Sequence, residues 1–214
     1  MPSATGRSKS NEAVRDRLLD AVGMLMRKRG LARVTTRDIA QAAGVAEGTL
    51  YNHFRDKSAL LIAFVQRSAP ATMRQAMMDL PLRVGQRSVR ANLEGVLGAA
   101  LSFHRGMAPV ICSLLADTSL MVAARREFKA RGLGPHLSGD RLAAYLDAER
   151  KLGRVSPGLD ASAAADLLLG ASFKLAVTDH LFGKPRGVAN DRRQIKKRGG
   201  AFLGGAGARP GPKA

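Results

Sequence analysis

Residues 35–53, TTRDIAQAAGVAEGTLYNH, decide how the rest of the 214-residue chain is read. Thr35 is placed to cap the amides of a new helical turn, and Asp38 three residues on completes a variant of the capping box. The helix so started runs through Ile39, Ala40 and Ala43 and is broken at Gly44. A second short helix spans about Ala46 to Phe54, with Leu50 and Phe54 on one face at i, i+4. Two short helices across a tight turn are what a helix-turn-helix requires. Ala40 is small where the helices must cross, and Ile39, Ala43, Val45 and Leu50 supply an apolar seam. A purely structural helical hairpin would need too many independent coincidences in this stretch.

Once the seam is assigned, Glu47, Gly48, Thr49, Tyr51, Asn52 and His53 are left on the outer side of the second helix. These are short or hydrogen-bonding groups suited to phosphates and base edges. Gly48 admits close backbone approach, Thr49 offers a hydroxyl and a methyl, and Tyr51 and His53 can donate to phosphate oxygens. Lys57 opens the following helix, where free amides and the positive dipole end already favour an anion.

Upstream, Val14, Leu18, Ala21, Val22, Leu25 and Met26 recur at spacings of three and four, which predicts a helix from Asn11. Cations at 27–29 and a glycine at 30 predict its end. Residues 1–10 are small, polar and basic and read as a flexible arm. Downstream, Asp56 is positioned to cap a connecting helix that turns Leu60, Leu61, Phe64 and Val65 inward. Further helices are expected at roughly 70–79, 86–105, 108–115, 118–131, 138–152 and 160–182, with one break placed near Pro109.

Composition agrees with an all-α protein: 45% of residues are hydrophobic, nine are aromatic and none is Trp. The formal charge is +18, from 35 Lys and Arg against 17 Asp and Glu, a footprint that suits a polyanion. Residues 184–214 carry 9 basic groups and 1 acidic group; rich in Gly and Pro, they read as a disordered basic tail. The organisation expected is thus a basic arm (1–10), a three-helix DNA-binding domain (11–57), a further helical domain (58–183) and the tail (184–214).

One cysteine, Cys112, excludes an intrachain disulfide or a Cys-rich zinc site. With no apolar leader and no run of about 18 apolar residues, a cytoplasmic protein outside the membrane is expected. His104 and Cys112 could be imagined as a nucleophile pair or half a metal site. No acidic orienting group stands at useful spacing, so Cys112 reads as core or pocket lining and no metal, cofactor or catalytic residue is assigned. Phe103, Met107, Ile111, Leu115, Met121, Phe128 and Phe173 read as core.

The stretch TTRDIAQAAGVAEGTLYNHFRDKSALL resembles the N-terminal domain of the tetracycline-repressor (TetR) family, whose pattern is close to T-x-x-x-I-A-x-x-A-G-V-S-x-G-T-L-Y-x-H-F-x-x-K-x-x-L. Position by position, the resemblance implies phosphate contacts from Thr35, Tyr51 and Lys57, and base or phosphate contacts from Arg37, Gly48, Thr49 and His53. Ala46 departs from the family's usual Ser, which removes one cap or phosphate bond. The resemblance further implies a homodimer paired through the last two long helices, here 138–152 and 160–182. It also implies double-stranded operator DNA as partner and a small apolar or amphipathic effector that releases the repressor. The rival readings are a nonspecific basic nucleic-acid-binding protein driven by the +18 charge and an enzyme built on His104 and Cys112.

Overall fold

A computed structural model describes residues 4–29, 34–68, 71–130, 132, 134, 136–183 and 188–205. Among these the chain is all helical: α1 (Ala4–Arg29), α2 (Thr36–Ala42), α3 (Glu47–His53), α4 (Lys57–Ser68), α5 (Ala71–Asp79), α6 (Val89–Ala116), α7 (Thr118–Ala130), α8 (His136–Lys151), α9 (Ala161–Leu181) and α10 (Val188–Gly205). The all-α expectation is borne out. Two compact units divide the residues, one holding 1–68 with 109–133 and the other 69–108 with 134–214.

In the first unit the apolar stripe of α1 is core, with Leu18, Leu19 and Val22 fully buried beside Ile39, Leu50, Leu60 and Leu61. Burying such a side chain contributes about 1.5–3 kcal/mol. This one cluster therefore fixes how α2 and α3 lie on α1 and α4. Arg67 ties α4 to α1 by donating to the Asp16 carboxylate at 3.2 Å and to that of Asp20. The cap read at Asp56 is present, its Oδ1 accepting from the Ala59 amide at 2.7 Å. Helix 1 begins seven residues earlier than the periodicity placed it, because polar residues add helical turns without adding to the buried stripe. The expected glycine stop at 30 lies outside the described residues.

In the second unit Leu93, Val96, Leu97 and Ala100 of α6 pack with Leu142, Tyr145 and Leu146 of α8 and with Ala164, Ala165 and Leu168 of α9. A buried polar set pins the 81–88 segment to this core. The Asn92 side-chain amide donates to Gln86 O and Tyr145 Oη, both at 2.9 Å. Glu149, fully buried, accepts from the Gly85 amide at 3.1 Å and pairs with Arg154 at 3.1 Å, as a buried carboxylate must. By length and composition α6 and α9 are apolar enough to cross a membrane, although no run of 18 apolar residues exists; here each gives one face to the core.

Three readings need correction. The break near Pro109 is absent, and one helix runs from Val89 to Ala116. A proline removes the amide that would bond the carbonyl four residues back. That carbonyl, Arg105 O, instead accepts a hydrogen bond from His180 Nε2 at 2.7 Å. The disordered tail is also overturned over Val188–Gly205, which is helical. This helix runs antiparallel to α6: Asp191 pairs with Arg105 at 2.6 Å, Ile195 Cδ1 lies 3.7 Å from where a Cβ on Gly98 would stand, and Gly199 and Gly200 face Glu94 and Arg90. The glycines read as a sign of disorder are contact points where two helices approach closely. Finally, Cys112 and Leu115 are exposed rather than core.

Candidate nucleic-acid interface

The helix pair is built as the residues dictate. Thr35 caps α2 with its Oγ1 accepting from the Asp38 amide at 3.1 Å, while Asp38 Oδ2 accepts from the Thr35 amide at 2.9 Å. These bonds from the Thr35 amide and hydroxyl hold the Asp38 carboxyl below its ordinary pKa. The helix closes on Gly44 at φ +67°, a left-handed conformation that costs glycine nothing. There Val45 N–H bonds Ala40 O at 3.0 Å and Gly44 N–H bonds Gln41 O at 3.1 Å, the two bonds of a Schellman stop. Ala46 begins α3 without a side-chain cap, as the missing Ser implied.

Leu50 and Phe54 anchor α3 inward, and the Arg15 guanidinium sits 5.4 Å over the Phe54 ring. With those two buried, the opposite side must face out. Gly48, Tyr51 and Asn52 are exposed, and Thr49 and His53 are partly so. Tyr51 keeps 48% of its surface, so its ring stands open to an approaching partner. Arg37 is exposed on the first turn of α2, and Lys57 is the first residue of α4.

Two residues unite the surface that the sequence reading did not single out as a pair. Thr36 Oγ1 donates to Glu47 Oε1 at 2.7 Å and lies 3.3 Å from Tyr51 Oη. This joins the start of α2 to the outer side of α3. The repeated Thr at 35 and 36 carried the signal, one for the cap and one for this bridge. The bond fixes the direction in which the Glu47 side chain points. Thr36 thus brings Tyr51 to the turn of α2 that carries Thr35 and Arg37, with Gly48 and Thr49 beside Glu47 on α3.

Of the His104 and Cys112 alternative, Cys112 is exposed and His104 is engaged with Ser172. Ser172 donates its hydroxyl proton to Leu169 O at 2.7 Å, so His104 Nδ1, 2.8 Å from Ser172 Oγ, must be the donor in that pair. Among the described residues no group of three His, Cys, Asp or Glu side chains could hold a metal. Burial pushes the His104 pKa down to about 4 from 6.5. Between those values the unfolded chain takes up a proton that the fold refuses. Stability should therefore fall as pH drops from 6.5 and level near 4. His104→Gln is expected to flatten the melting temperature against pH in that window; an unchanged slope would show that other groups dominate.

An exposed hydrogen-bonding helix face on a buried helix-turn-helix scaffold defines the class as a DNA-binding transcription regulator. Residues 18–64 match the family "Bacterial regulatory proteins, tetR family", so the helix-turn-helix part of the chain is of that family's kind. It is 28% identical over 169 residues to the HTH-type transcriptional repressor Rv1474c of Mycobacterium tuberculosis, covering 73% of this chain and 89% of that protein. A TetR-family transcriptional regulator from Mesorhizobium loti superposes with a TM-score of 0.70 at 18% identity, over 91% of this chain and 96% of the other. The regulator FadR from Bacillus subtilis, in complex with stearoyl-CoA, superposes with a TM-score of 0.68 at 18% identity, over 88% and 97%. At such identities these two structures speak for the fold alone.

Proposed function

We propose that the protein is a sequence-specific repressor whose homodimer sets two α3 helices into successive major grooves of a pseudo-palindromic operator. In such dimers the half-sites lie about one helical turn apart, roughly 34–36 Å. Thr35, Tyr51 and Lys57 hold phosphates; Arg37, Gly48, Thr49 and His53 contact bases or phosphates. The observation that carries this reading is α3 itself, fully buried at Leu50 yet open at Gly48, Tyr51 and Asn52. The likeness to the repressor Rv1474c over most of its length supports repression. The domains proposed are 11–57 for DNA and 58–183 for effector and dimer, in a cytoplasmic, non-enzymatic protein.

For the dimer, α8 and α9 supply the contact. Leu167, Leu181 and Phe182 are 70%, 75% and 73% exposed, apolar area that a second copy would remove from water. A small apolar or amphipathic effector binds the C-terminal helices better in a conformation unfit for DNA, and its differential affinity releases the operator.

Selection of bound sequences from a random duplex library at about 150 mM salt tests the reading, since weak electrostatic binding is suppressed there. An inverted repeat is expected. On that operator Tyr51→Ala should lose roughly 1–3 kcal/mol at matched salt. Recovery of no motif, or an unaffected Tyr51→Ala, would favour the nonspecific binder.

A further inference from the structure

Helix α10 presents a face that the helix-turn-helix does not account for. Arg192, Arg193, Lys196 and Lys197 stand at i, i+1, i+4 and i+5 and are all exposed. The helix's one acidic residue, Asp191, is turned to Arg105, and Ile195 packs on the core of the second unit. The outward side is therefore purely cationic, and no acidic side chain among the described residues pairs with the four.

A merely solvated face would look different. Soluble surfaces intersperse both signs, and this protein does so on α8, where Asp147 pairs with Lys151 at 2.9 Å and with Arg150. On α10 the pairs 192/196 and 193/197 repel one another one turn apart, an arrangement that weakens a helix by a few tenths of a kcal/mol each. The ion pair to Arg105 and the glycine contacts with α6 hold the helix despite this.

We propose that the outward face of α10 is a second, sequence-independent contact for the phosphate backbone of duplex DNA. Six helical residues span about 7.5 Å, over which a duplex presents about two phosphates on each strand, about four in all. Four long cationic side chains suffice to meet them. An anionic membrane is the weaker partner, because an interfacial helix buries an apolar face in lipid, and Ile195 is committed inward.

The test uses the full chain with Arg192, Arg193, Lys196 and Lys197 all changed to Gln, binding a random-sequence duplex between 50 and 200 mM salt. Each lost phosphate contact lowers the slope of log K against log salt by about 0.9, so the slope should become shallower by roughly 2–4. Arg192→Lys with Arg193→Lys, which keeps the charge, should leave the slope as it was. Affinity should fall equally for every sequence, whereas loss of discrimination belongs to α3; the two ideas thus fail separately. A slope unchanged within one unit, with the melting temperature retained, overturns the proposal. So does a slope that is unchanged while binding to phosphatidylserine vesicles is lost, which would assign the face to lipid.

Discussion

Arg105→Ala should cost about 2–4 kcal/mol of stability in the second unit and release α10. The guanidinium serves two carboxylates on different helices: Nε and Nη2 donate to Asp179 Oδ2 at 2.9 and 2.5 Å, and Nη1 and Nη2 donate to Asp191 at 2.6 and 2.8 Å. These bonds, those to Asp191 foremost, raise the Arg105 pKa above its ordinary value. Removing one partner of a buried pair costs about 3–5 kcal/mol, because the charge left behind stays desolvated. Asp179 is 7% exposed but Arg105 25%, so the lower part of that range applies. Urea melts followed by far-UV circular dichroism would measure the loss, and hydrogen exchange over 188–205 would localise it. Arg105→Lys should rescue only in part, since a point charge cannot fork to two carboxylates. A variant melting as wild type does, with α10 still protected, would mean that glycine contacts alone hold the helix.

That helix also marks where the sequence ceased to be legible. The α2 and α3 pair could be read because its determinants are local: the Thr35 cap, the Gly44 stop and the Leu50 anchor act within one or two turns of themselves. The structure keeps all three. What escaped depends on partners far along the chain. Pro109 does not end its helix because a histidine 71 positions later takes the orphaned carbonyl. Residues 188–205 fold because Arg105, 86 positions away, receives Asp191. Periodicity cannot see either, since each is one contact and not a repeating pattern. Cys112 departs for another reason. Composition favours burial of a free thiol, but Val110 and Leu114, four apart, hold the buried face of α6, and residue 112, midway between them, turns to the opposite side. In the candidate interface the outward set was legible by subtraction, once the buried residues were assigned. Its internal bridge from Thr36 to Glu47 needed the crossing geometry of the two helices.

Gly48 gives the sharpest separation of fold from function. A glycine inside a helix weakens it by roughly 0.5–1 kcal/mol relative to Ala, so some other demand must hold it there. Backbone strain is not that demand, since Gly48 is absent from the positive-φ positions. Internal packing is not either, for a Cβ at residue 48 would meet nothing within 4 Å. The operator contact proposed for α3 would supply one, as a surface outside the chain that comes close to residue 48. Gly48→Ala should hold or raise the melting temperature by up to the helix-propensity gain, muted because residue 48 lies in the first turn. Gly48→Leu should likewise leave the fold intact, its side chain pointing into open solvent. Operator affinity should move the other way, falling on the order of 100-fold for Leu, equivalent to about 2.7 kcal/mol, and less for Ala. Gel-shift titration beside thermal melts would read both quantities on the same preparations. Loss of DNA with a retained melt places the operator against residue 48. If Gly48→Leu binds as tightly as wild type, α3 does not approach DNA on this face, and the assignment of Thr49 beside it falls as well.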